Sequence, residues 1–140
     1  MDKPSGLITV DGFRQLLQDQ HPFATRIGAE ILDIGHGTAS LRLPPDDAHT
    51  RLGGIISGPM LMALADLTLY AAVVGATGNA EAVTSSLSIN FIRGAPPGGV
   101  VAQARILKTG RICSGEVHLY PDGNGQPVAH AISTWALPRS

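Results

Sequence analysis

Residues 53–72 read GGIISGPMLMALADLTLYAA, an almost unbroken apolar run holding a single acid, Asp66. It is long enough for roughly five helical turns at 3.6 residues each. A helix without a polar face has to be surrounded by other structure. Burying an ionised carboxylate with no partner costs several kcal/mol, or drives it to take up a proton. Asp66 therefore needs either a partner or a place where the packing around the helix opens into a lined cleft.

The rest of the composition narrows what can surround it. One hundred and forty residues suit a single domain (1–140), and 44% hydrophobic with 15% charged side chains is a globular composition. A formal net charge of −1 leaves no footprint for nucleic acid or an anionic membrane. The start, MDKPSGLITVDG, lacks the basic flank and apolar core of a signal peptide. Every longer apolar stretch meets Gly, Pro or a charge before the roughly 20 residues of a membrane span. A cytoplasmic protein is the simplest expectation. Cys113, the lone cysteine, permits no intrachain disulfide and no multi-cysteine zinc site. The five histidines show no close ligand spacing, so no metal is assigned and no cofactor is expected.

Along the chain, Asp11 is a candidate cap for a short helix over 12–19, and His21-Pro22 restarts the chain with proline near a first helical position. Residues 28–34 and 37–43 read as strands joined at Gly35-His36-Gly37. The long helix should begin near Ser57 or Gly58, with Ser57 as N-cap and Pro59 tolerated in the first turn; Gly75 and Gly78 mark its end. The period then changes to two. Val83, Leu87, Ile89 and Phe91 form one face of 83–91, with Thr84, Ser86, Ser88 and Asn90 opposite. Further strands are expected over 99–108, 112–120 and 127–137, with a turn at 121–125. This reads as an α+β chain, an antiparallel sheet wrapped around one long helix, with the remaining cover from sheet curvature or a second subunit.

With these elements placed, the sequence resembles the hotdog-fold thioesterases, in the branch of the phenylacetic-acid-pathway (PaaI-like) and 4-hydroxybenzoyl-CoA enzymes. The likeness covers 21–137 as a core behind an N-terminal extension (1–20). It runs through HPFATRIGAEILDIGHGTASLRLP, GPMLMALADLTLYAAV, VTSSLSINFIRGAPPGG, ILKTGRICSGEVHLY and VAHAISTWAL. In that family the loop leading into the helix reads Asn/Gln-x-x-Gly-x-x-His-Gly-Gly, with an acid nine residues after the His. Here it is Arg51-Leu-Gly-Gly54-Ile-Ile-Ser57-Gly58-Pro59, and nine residues beyond Ser57 stands Asp66. The resemblance implies that Asp66 is the catalytic acid, that the Gly58 N–H polarises the thioester carbonyl, and that Gly54 is the loop glycine. Arg51, Ser57 and Pro59 depart from the pattern, as does Tyr70, which stands where the family often has a small hydroxyl residue.

The chemistry suits the positions. A helix N-terminus favours developing negative charge, as an oxyanion donor must. Asp66 would act as nucleophile or as general base; the alternative is an acid paired with Arg51, Arg93 or another side chain merely to stabilise a dimer. Ser57 lacks a G-x-S-x-G elbow and fits an N-cap better than a nucleophile. Arg51 could hold a thioester or carboxylate oxygen, or be a solvated loop arginine. Tyr70, one turn beyond Asp66, could donate to it or fill the core or acyl pocket. Family likeness puts the CoA nucleotide near a subunit boundary, by Arg93 and Lys108, Gly110 and Arg111. The expectation is an acyl-CoA thioesterase acting on an aryl or short- to medium-chain ester as a homodimer or dimer of dimers (a homotetramer). The alternative is an acyl-CoA binding or sensing protein that does not hydrolyse its ligand. A hydratase is disfavoured because Ala71 occupies the position five residues after Asp66.

Overall fold

The apolar run forms helix α3 (Gly58–Thr77) in a computed structural model that describes residues 5–123 and 125–138. The first four residues of the N-terminal extension, Asn124 of the expected 121–125 turn and the last two residues lie outside the described set. Ser57 is the N-cap by its extended backbone, φ −67° and ψ 145°, and Gly78 closes the helix at φ 70°. That left-handed conformation costs glycine no Cβ clash. Gly75 does not end the helix, contrary to its reading as a stop signal. It is buried where α3 touches the Gly35 turn, and a Cβ there would strike the Gly35 carbonyl oxygen.

Six antiparallel strands curl about α3: β1 (Glu30–Ile34), β2 (Thr38–Leu43), β3 (Val83–Phe91), β4 (Val100–Lys108), β5 (Ile112–Pro121) and β6 (Ala129–Ala136). Their spatial order is β1-β2-β4-β5-β6-β3. One core row runs Leu41–Ala102–Leu119–Ala129, and the next runs Ala39–Ala104–Val117–Ala131. All eight are buried. Alternating large and small side chains lets the sheet close around a helix that is itself apolar on all sides. This is the hotdog fold, as expected.

α1 (Val10–Gln20) and α2 (Pro22–Arg26) precede the sheet. Thr9, not Asp11, caps α1: its hydroxyl accepts the Gly12 N–H at 2.9 Å, while Asp11 lies in the first turn and pairs with Arg14. Phe13 and Leu17 of α1 are buried in the core, so α1 packs as part of the fold.

Cover fails in two places. Pro59, Met62, Ala63 and Asp66, spaced as one helical face, are exposed or half-buried. β3 is an edge strand, with β6 as its neighbour on one side only. α3 has the length and apolarity of a membrane span, but most of it lies inside the protein's own sheet.

β3 also carries an irregularity the alternation does not reveal. Its register with β6 shifts between Thr84 and Ser86. The extra residue brings Thr84 onto the same face as Leu87, Ile89 and Phe91, because Thr84 pairs with buried Trp135 and hydrogen-bonds to α3. The sequence pattern had put Thr84 on the opposite, polar face.

Candidate active site

At the N-terminus of α3 the backbone leaves donors free. The Ser57 N–H is taken by the His49 carbonyl at 2.8 Å, and the Ser57 carbonyl accepts from Leu61 at 3.2 Å. Pro59 has no N–H. The Gly58 and Met60 N–H groups have no bonded partner among the described residues, as the first turn of a helix dictates. The Ser57 hydroxyl makes no capping bond, so its N-cap role is carried by backbone alone. Gly58 packs under Phe91, whose ring would lie 3.4 Å from a Cβ at this position.

The loop before the helix is held by its own backbone. Arg51 N–H donates to the Ile55 carbonyl at 2.9 Å, and Gly54 N–H to the Arg51 carbonyl at 3.0 Å. Gly54 has φ 76°, a conformation that suits glycine. Arg51 and Gly54 are exposed, and Arg51 forms no pair with Asp66.

Asp66 is half-buried in the wall of a cleft of ≈ 430 Å³. Its Oδ1 accepts the Thr84 hydroxyl at 2.7 Å. Burial pushes its carboxyl above the ordinary value, and the Thr84 bond offsets part of that rise. No ion pair joins it to either candidate arginine; Arg93 instead reaches Gln126 at 3.4 Å. The salt bridge to an arginine is therefore not formed within the chain, and the acid sits among mostly apolar walls.

Tyr70 also lines the cleft, but it does not donate to Asp66. Its hydroxyl donates to the Ala80 carbonyl at 2.6 Å and meets His21 Nε2 at 3.1 Å. The ring stacks on Trp135, with centroids 5.8 Å apart, and tilts against Phe13 at 5.5 Å. Desolvation raises its phenol above the usual range.

The four CoA candidates do not gather within one chain. Lys108 ends β4, and Gly110 and Arg111 lie in the turn before β5, close to Ile112, whose register neighbours run through Ala136 to Val83. Arg93 follows Phe91 at the other end of β3. Eight steps of strand, roughly 26 Å, separate those ends.

Sequence reasoning missed Thr84 as the partner of Asp66, and also the wall made by His21, Phe23 and Ala24 of the N-terminal region. His21-Pro22 was visible as a helix start; no local signal tied it to Tyr70, 49 positions later.

Comparison with known proteins matches this geometry to a family. The model of the thioesterase superfamily matches residues 53–120, from the loop before α3 to β5. A solved structure from Silicibacter sp. TM1040, provisionally named a thioesterase, is 32% identical over 96% of this chain and 95% of its own, with a TM-score of 0.85. The chain belongs to the thioesterase superfamily. A Ralstonia eutropha structure, provisionally named a thioesterase related to phenylacetic acid degradation, is 27% identical. It covers 89% of this chain and 98% of its own at a TM-score of 0.76. A Saccharolobus solfataricus protein provisionally named an esterase is 28% identical over 95% of this chain and 88% of its own. The protein is thus a hotdog-fold thioester hydrolase of the PaaI-like branch.

Within this thioesterase, Gly58 and Asp66 sit on one helix eight residues apart, about 12 Å along the axis. A single carbonyl cannot touch both groups of the same chain.

Proposed function

We propose that this thioesterase hydrolyses acyl-CoA esters at a site shared between two copies of the chain, with Asp66 delivering the oxygen and Gly58 of the other copy binding the oxyanion. The observation that carries the reading is the state of Asp66: a half-buried carboxyl in a largely apolar cleft, held by the Thr84 hydroxyl and made less acidic than usual by burial. A carboxylate with a raised pKa is a better base and sits where water can be excluded.

The 12 Å gap within one helix supports a second copy. Asp66 is tied to Thr84 near the start of β3, and Gly58 packs on Phe91 at its end. Pairing the free edge of β3 with the same strand of another copy, antiparallel about its middle, sets one chain's Asp66 end against the other's Gly58 end. It also brings Arg93 of one copy toward Lys108, Gly110 and Arg111 of the other, where the CoA phosphates would find cations. The uncovered α3 face of Pro59, Met62 and Ala63 becomes part of the same contact. A homodimer is the minimum assembly, and a dimer of dimers is compatible with it.

In the reaction the Gly58 N–H takes up charge on the carbonyl oxygen as the tetrahedral adduct forms. Asp66 either attacks the carbonyl directly, expelling the CoA thiolate and leaving a mixed anhydride that water then cleaves, or removes the proton of a water that attacks the carbonyl and expels the thiolate. Both routes need it ionised, and the thiolate takes up a proton to leave free acid and CoA thiol. Thr84 orients the carboxylate. Pro59 fixes the backbone beside the donor, Gly54 shapes the loop, and exposed Arg51 is placed to meet a substrate oxygen. Ser57 supports the helix start through its backbone. The reading needs no cofactor beyond the CoA of the substrate. Thiol release from acyl-CoA esters by wild type and Asp66→Asn tests it; ester binding without turnover by wild type would favour a ligand-sensing role.

A further inference from the structure

We infer that Tyr70 is the fixed floor of the acyl pocket and that the enzyme is selective for short, uncharged acyl groups, a specificity that rests on the thioesterase reading of the same cleft.

The cleft has a rim and a bottom. Phe23 and Val83 are 66% and 57% exposed and mark the rim. Leu67, Tyr70, Ala82 and Trp135 line the same cleft and are buried. Asp66 lies between the two, in the wall. Behind Tyr70 there is no further room, because its ring lies against fully buried Phe13 and against Trp135.

The floor is also immobile. A phenol has one proton, and the 2.6 Å bond commits it to the Ala80 carbonyl. In the 3.1 Å contact with His21 the imidazole must therefore be the donor, with its proton on Nε2. Two hydrogen bonds and three ring contacts, from α1, the α2 start, the loop after α3 and β6, hold one side chain. A swing of Tyr70 to admit a longer chain would break all of them.

Depth follows from helix geometry. Asp66 and Tyr70 are four residues apart on one face, a rise of about 6 Å, which spans roughly five carbon–carbon bonds. Acyl groups beyond about six carbons would have to turn back toward the rim. Charge is decided by the lining. No lysine or arginine is among the described residues of the cleft, and the charge present is the acid at position 66. A terminal carboxylate at the Tyr70 floor would be desolvated beside a like charge, with no lysine or arginine among the described lining residues to receive it.

The test is kcat/KM for straight-chain acyl-CoA esters from two to sixteen carbons, with ω-carboxyl esters of matched length. It is run on wild type, Tyr70→Leu and Ala63→Leu. Wild type should be best at or below about six carbons and fall at least about tenfold by ten carbons. It should also disfavour ω-carboxyl esters by about tenfold or more. Tyr70→Leu should move the optimum to longer chains. Ala63→Leu fills the half-buried wall without opening the aromatic cluster and should move it to shorter ones, which keeps the test decisive if Tyr70→Leu does not fold. Hydrolysis with a flat or long-chain profile in wild type, or variants that scale all lengths equally, would overturn the inference and leave the hydrolase reading intact. No hydrolysis of any ester by wild type would strike the hydrolase reading itself.

Discussion

The Thr84 hydroxyl donates to Asp66 Oδ1 at 2.7 Å only because β3 holds one extra residue between Thr84 and Ser86. Without that bulge, period-two alternation would turn Thr84 away from the helix. The polar partner that the half-buried acid has among the described residues thus depends on a local defect in an edge strand. Removing the hydroxyl with Thr84→Val takes away a contact that favours the ionised form. The acid limb of the pH–rate profile should move to higher pH, and Thr84→Ser should restore it. An unmoved limb in Thr84→Val would separate the hydroxyl from the acid's function.

The same acid weakens the fold. Its folded-state pKa is raised, so the native protein holds that proton more tightly than the unfolded chain does. Stability therefore falls as pH rises from the ordinary Asp value through the raised one, and above that range the full penalty is present. Asp66→Asn keeps an oxygen for Thr84 and removes the charge. It should raise stability by about 0.5–2 kcal/mol near neutral pH, with the gain shrinking toward the acid end. Thermal melts across pH measure this directly.

Gly75 and Gly78 answer to different physics. Gly75→Ala places a methyl group on the Gly35 carbonyl and should cost about 1–3 kcal/mol through overpacking. Gly78→Ala strains only the left-handed cap and should cost about 1 kcal/mol. Chemical denaturation of both variants checks the ranking.

Met62, 39% exposed on the bare face of α3, reports on assembly. Met62→Lys should shift the protein from dimer to monomer in light scattering and lose turnover with it. A monomeric, fully active wild type would contradict a shared site.

The cations at the two ends of β3 separate binding from chemistry. Arg93→Glu and Arg111→Glu should each raise KM for CoA esters with little change in kcat, and the effect should weaken in high salt. Equal KM values would remove these residues from the carrier's path.

Much of this fold was legible because its signals are local. An all-round apolar helix, alternation in 37–43 and 87–91, and Gly/Pro turns each follow from period and backbone preference. The helix cap illustrates the limit: Gly75 and Gly78 look alike in sequence, and only the approach of the Gly35 turn tells them apart. Asp66 and Gly58 stood out through one acid in an apolar run and one glycine at a helix start. Thr84 did not, because a bulge leaves the composition Thr-Ser-Ser unchanged while reversing which side faces inward. Tyr70 was placed beside Asp66 by helical spacing, yet its partners His21 and Phe13 come from far along the chain. Arg93 and Arg111 were drawn to the carrier by family likeness alone, and β3 holds them at opposite ends.

The most direct measurement is thiol release from short-chain acyl-CoA esters by wild type and Asp66→Asn, with ester affinity measured on both. The account predicts turnover by wild type, a loss of about a hundredfold or more in Asp66→Asn, and binding retained in both. Undiminished turnover in Asp66→Asn would contradict it.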